Sequence, residues 1–166
     1  MGAFKEPHGG VLKELYLGET AAEAEKARAR DYVSWDLTDR QLCDLELLLS
    51  GSFSPLEGFL TRTEYDGVVN DMRLPSGVLW PIPITLDVTP AFAETIAIGD
   101  AVALRDREGV VIATLDVADI WTPDKAMEAE SVFGTGNTAH PGVHYLMNLA
   151  NDVYVCLLYT SPSPRD

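Results

Sequence analysis

"GDAVALRDREGVVIATLDVADIW", residues 99 to 121, is the stretch on which the fold turns. Two runs rich in β-branched and small apolar residues flank Asp106-Arg107-Glu108-Gly109, and acidic-to-glycine turn chemistry between such runs specifies an antiparallel hairpin. The first arm is expected from Ala101 to Arg105 and the longer second arm from Val110 toward Ile120. Short strands joined by tight turns point to a barrel-like sheet.

Upstream of the hairpin, "VLWPIPITLDV" (residues 78–88) carries Ile82, Ile84 and Leu86 on one side, and Pro81 and Pro83 mark it as an edge or bulged strand. Helices surround these strands. Thr20-Ala21-Ala22-Glu23 has the form of a capping box opening a polar helix to about Arg30. Thr38-Asp39-Arg40-Gln41 opens a second, with Leu42, Leu45 and Leu49 on one face. Thr61-Arg62-Thr63-Glu64 opens a third, with Tyr65, Val68, Val69 and Met72 inward. After Pro123, "DKAMEAESVFG" reads as a helix stopped at Gly134, and the loop "TGNTAHPG" leads to the helix "VHYLMNLA". Mixed helices and strands without repeats make the expected class α+β.

Between the second and third helices lies "SGSFSPLEGFL", residues 50–60. A phosphate loop needs successive N–H groups aimed at the anion and a lysine to neutralise it. This stretch has no lysine near it in sequence, Pro55 lacks a donor, and Gly51 and Gly58 are spaced wrongly. The bland reading is that Gly51 ends a helix in the left-handed conformation, Ser54-Pro55 turns the chain, and Phe53 and Phe59 anchor the turn to the core.

A chain of 166 residues with 46% hydrophobic content is ample for one packed domain. Its 12 Lys and Arg against 26 Asp and Glu, a formal net charge of −14, argue against nucleic-acid and anionic-membrane partners. The start "MGAFKEPHGG" has no apolar leader segment, so a soluble cytoplasmic protein is expected. Cys43 and Cys156 give no disulfide framework.

Catalytic constellations are weak. His140 and His144 have the spacing of a helical metal pair, but Pro141 and Gly142 between them place His140 before the helix, as a cap or turn residue. The Gly134-Thr135-Gly136 run lacks the third glycine of a dinucleotide loop and follows a helix instead of a strand. No GxSxG elbow occurs, and Cys43 in an apolar stripe reads as a buried inert thiol.

Residues Leu37 to Val88 resemble the amino-terminal domain of the ATP sulfurylase (sulfate adenylyltransferase) family. The likeness rests on Arg40-Gln41-Leu42-Cys43-Asp44-Leu45-Glu46, the bend at residues 51–56, Gly58-Phe59, Arg73-Leu74, and Leu79-Trp80-Pro81-Ile82-Pro83-Ile84-Thr85-Leu86. "PHGGVL" (residues 7–12) and "AHPGVHYL" (residues 139–146) extend it to Val155; Ser52 departs from it, standing where the family commonly has glycine. The resemblance implies a PUA-like β-barrel with flanking helices, an accessory domain preceding a catalytic domain of the same polypeptide. For the complete protein it implies attack of a sulfate oxygen on the α-phosphorus of MgATP, giving adenosine 5′-phosphosulfate and pyrophosphate. The family's catalytic Gln-x-Arg-Asn-Pro-x-His run is missing from this chain.

The expectations are therefore a domain over residues 1–155 and a tail over residues 156–166, "CLLYTSPSPRD". The tail departs from the family and resembles translated sequencing-adapter read-through, a sequencing or truncation artefact. A natural disordered terminus is the alternative. No catalytic, cofactor-binding or metal-binding residue is expected in the chain, which would be inactive alone. MgATP would serve only the full-length protein, whose homo-oligomerisation is left open. A free-standing PUA-like module binding RNA or protein is the competing reading, opposed for RNA by the acidic balance.

Overall fold

The computed structural model describes the backbone of residues 6–160 and the side chains of residues 6–156. In chain order the elements are α1 (Glu19–Arg28), β1 (Val33–Asp36), α2 (Asp39–Leu49), β2 (Gly58–Phe59), α3 (Arg62–Asp71), β3 (Leu86–Val88), α4 (Pro90–Ala93), β4 (Ala101–Arg105), β5 (Val111–Trp121), α5 (Lys125–Phe133), α6 (Pro141–Asn148) and β6 (Val153–Thr160). They fall into two compact units, residues 1–58, 99–117 and 157–166 in the first, and residues 59–98 and 118–156 in the second.

In the first unit the hydrogen-bonded strand order is β1-β4-β5. The hairpin forms as read, β4 antiparallel to β5 with Val102 opposite Leu115 and a register shift between Leu104 and Arg105. Its turn is held by Asp106, whose Oδ1 accepts the N–H groups of Glu108 and Val110. The sequence pattern gave no sign of β1, a short strand parallel to β4 with Trp35 opposite Leu104. The helix α2 carries the expected capping box of Thr38 and Gln41. Gln41 is itself buried, and its Oε1 accepts the Trp35 indole N–H at 3.1 Å, so the cap is tied to β1. Leu45, Leu48 and Leu49 face the core and Cys43 is exposed, which corrects the expectation of a buried thiol. The apolar stripe is displaced toward Leu48, leaving Cys43 on the outer side of the helix. The capping box expected at Thr20 does not form, because α1 starts at Glu19, two positions early, with Gly18 as its N-cap and no side-chain cap bond.

In the second unit β5, β6 and β2 follow in that order and β3 pairs antiparallel with β6, Leu86 opposite Val155. The capping box of Thr61 and Glu64 opens α3 as expected, and Tyr65, Val68 and Val69 are buried. Met72 is not inward. It ends α3 in the left-handed conformation at φ 52° and is exposed. The proline-rich run is strand only over Leu86–Val88, with Ile82 exposed. Pro81 and Pro83 have no N–H for a ladder, so before Leu86 the run makes only isolated backbone bonds, among them the Leu79 bridge to Arg73 and the Trp80 N–H to the Met72 carbonyl. Asp124 caps α5 through the Met127 N–H, and Gly134 ends it at φ 69°. His140 caps α6, its Nδ1 accepting the Gly142 N–H at 3.2 Å. Ala129, Val143 and Leu146 form the seam between α5 and α6, with Phe133 against it.

Of the segment set aside as a tail, Cys156 to Thr160 lie in β6, and residues 161–166 fall outside the described residues. The strand β6 runs through Thr160, so a boundary after Val155 cuts it. Cys156 is fully buried, and its thiol donates to the Phe59 carbonyl at 3.1 Å.

Candidate functional site

The bend at residues 50–60 has already used many of its backbone donors. The N–H groups of Gly51, Phe53, Ser54 and Leu56 are spent on the carbonyls of Leu48, Leu47, Gly51 and Phe53. A lysine does arrive from elsewhere in the chain, Lys13, but its ammonium is paired with Glu57. Ser54 knits the two segments together, its Oγ donating to the Gly51 carbonyl at 2.6 Å and accepting the Lys13 N–H at 2.8 Å. Gly51 has φ +74°, and a Cβ there would lie 2.9 Å from Leu12 Cδ1 and 3.1 Å from the Lys13 carbonyl oxygen. Only glycine satisfies both constraints. Phe59 is buried as expected, whereas Phe53 is half-buried. The stretch is a structural bend.

Beside it, still within the first unit, is a groove of about 870 Å³. Its apolar lining includes Tyr16, Leu47, Val110 and Ile112, and Cys43, Lys26, Glu46 and Asp106 add its chemistry. The volume lies within the range of about 300–1,000 Å³ that ligand pockets usually occupy. Its polar groups are mixed in sign, and the Asp106 carboxylate already serves the hairpin turn.

The second unit buries a carboxylate among aromatic rings. Glu128 Oε2 accepts the phenol of Tyr65 at 2.7 Å and that of Tyr154 at 3.0 Å. The Trp121 ring completes the cluster, its centroid 5.7 Å from Tyr65 and 5.8 Å from Tyr154. Burial foremost, and then the charge of Glu128, push both phenols well above the ordinary tyrosine range. The cluster draws one residue each from α3, β5, α5 and β6, and the sequence analysis did not single out Glu128. In a nine-residue helix with two glutamates, nothing local separates the buried Glu128 from the exposed Glu130. A second internal carboxylate, Asp87, accepts the Asn151 backbone and side-chain N–H groups at 2.7 and 3.1 Å. Both carboxylates and both phenols are held by structural hydrogen bonds, whereas the buried Trp121 indole nitrogen has no partner among the described residues.

The histidines are not brought together as a metal pair. His140 Nδ1 is committed to its cap, and the exposed His144 contacts Asn148 through its own Nδ1. Among the described residues no group of three His, Cys, Asp or Glu side chains could hold a metal ion, and no helix is long and apolar enough to cross a membrane.

A family model for a PUA-like domain matches residues 5–156. The chain belongs to the PUA-like domain family. Relatives similar to this PUA-like domain include sulfate adenylyltransferases of Eremothecium gossypii, 46% identical over 154 residues, and of Saccharomyces cerevisiae, 47% identical over 152 residues. Each match covers 90% of the chain and 30% of the relative, so the PUA-like domain spans less than a third of those proteins. The sulfate adenylyltransferase of Chaetomium globosum is 49% identical over 153 residues, which are 26% of its length. Among solved structures, the hexameric APS kinase from Thiobacillus denitrificans superposes with a TM-score of 0.71 at 29% identity, over 96% of this chain and 27% of that one.

Proposed function

We propose that this PUA-like domain is the amino-terminal accessory part, residues 1–155, of a cytoplasmic sulfate adenylyltransferase that joins ATP and sulfate into adenosine 5′-phosphosulfate and pyrophosphate. The observation that carries the reading is the identity of 46–47% held across 90% of the chain by relatives of that name, over only 30% of their length. The reacting groups belong to a following catalytic domain of the same polypeptide. The chain's own residues support that division. Adenylyl transfer requires preorganised positive groups around a polyphosphate, and the groove beside the bend sets Lys26 against Glu46 and Asp106. That donor set does not fit MgATP, and no catalytic, nucleotide or metal role is assigned to any residue here. The domain's own task is to fold and to present a surface to the catalytic part. The hexameric state of the similar Thiobacillus denitrificans structure supports a homo-oligomer for the full-length protein.

The test joins residues 1–155 in register to the continuing sequence of a relative, which supplies the remainder of β6. Sulfate-dependent pyrophosphate release by the joined protein is the expected result, and its failure in a folded, soluble product would overturn the reading. RNA binding by a free-standing module is the competing function, disfavoured by the charge of −14. A filter-binding titration at low salt is expected to show no retention of RNA, and saturable retention would favour that function instead.

A further inference from the structure

We propose that the groove of the first unit is the seat of an apolar, basic-flanked segment of the catalytic domain, a reading that rests on the proposed function above. Tyr16, Leu47 and Val110 line the groove and are all substantially exposed. They come from the amino-terminal segment, α2 and the hairpin turn, so a continuous apolar surface is assembled from three distant stretches of sequence. Apolar residues gathered in this way mark an interaction site far more often than scattered ones do. Two features of the chain identify the occupant. The chain amounts to 30% of its relatives' length, so most of the polypeptide that could cover the groove lies outside it. Carboxylates exceed ammonium groups both at the groove, where Glu46 and Asp106 accompany Lys26, and over the chain, at −14. A complementary segment therefore places apolar side chains in the groove and Lys or Arg at its rim.

Cys43 makes the contact measurable. Its thiol is exposed and lines the groove, whereas Cys156 is buried. The experiment compares alkylation of Cys43 by a maleimide, followed by peptide mass spectrometry, in the 166-residue chain and in the protein joined to the catalytic domain. Alkylation is expected to be at least about tenfold slower in the joined protein, because a docked surface admits the reagent only when it opens. Leu47→Asp in the joined protein is expected to restore fast alkylation, and Leu47→Ala to do so in part. Ile98→Asp, at a strongly exposed site outside the groove, adds the same charge and is expected to leave the protection intact. Equal rates in the two proteins would overturn the proposal, as would protection of the isolated chain that grows with its own concentration, which would identify a second copy as the occupant. Pyrophosphate release is measured on the same preparations. Activity with an unprotected Cys43 sinks the docking site alone, and a protected Cys43 without activity sinks the proposed function alone.

Discussion

Gly51 shows how a single residue sets the course of the chain. Its φ of +74° and the approach of Leu12 and Lys13 leave no room for a side chain. Gly51→Val is therefore expected to destabilise the chain by about 1–3 kcal/mol in urea unfolding, through left-handed strain and displacement of the amino-terminal segment. Phe59→Ala is expected to cost about 3–5 kcal/mol, since Phe59 is buried. The half-buried Phe53 should cost clearly less on the same substitution. Equal losses at both phenylalanines would contradict the packing described here. Gly51 was legible in the sequence because glycine after an amphipathic run is a local signal. Lys13 beside Glu57 was not, since no local pattern ties residues so far apart in the chain. Cys43 was misread for a related reason. Leucines recur all along α2, and which of them face inward depends on the strands packed against the helix.

At the level of elements, the polar core of the second unit makes a prediction about pH. Tyr65 and Tyr154 must keep their protons to donate to Glu128, and burial with the nearby carboxylate raises both phenols above their ordinary value of about 10. A raised folded-state value means that the unfolded chain loses these protons first. Their contribution to stability is thus complete below about pH 10 and is lost as pH rises beyond it. Melting temperatures measured from pH 8 to 11 should fall at the alkaline end, and the fall should be shallower in Tyr154→Phe. An unchanged alkaline slope in that variant would remove Tyr154 from the account. At neutral pH, Glu128→Leu leaves two buried phenol protons without an acceptor and is expected to cost about 2–5 kcal/mol in urea unfolding, with Glu128→Gln costing less. Removing residues 156–166 takes away the buried Cys156 and more than half of β6, so that truncation should lower the melting temperature instead of leaving it unchanged. The hairpin, α2, α3 and α5 were legible because caps, turns and periodicity are local. The strand β1 and the late start of β3, beyond Pro81 and Pro83, were not, because pairing is decided by partners distant in sequence.

For the whole molecule, the sequence carried the family more clearly than any chemical site. A long set of matching residues pointed to a PUA-like domain, and a family model for such a domain matches residues 5–156. Glu128, Asp87 and Gln41 would each suggest chemistry in a cleft. Here each lies inside the protein, tied to neighbours that hold the fold.

The most direct test of this account is sulfate-dependent pyrophosphate release, measured side by side for the 166-residue chain and for residues 1–155 joined to a relative's catalytic domain. The account predicts no turnover above background for the chain alone and sustained turnover for the joined protein. Sustained sulfate-dependent turnover by the chain alone would contradict it.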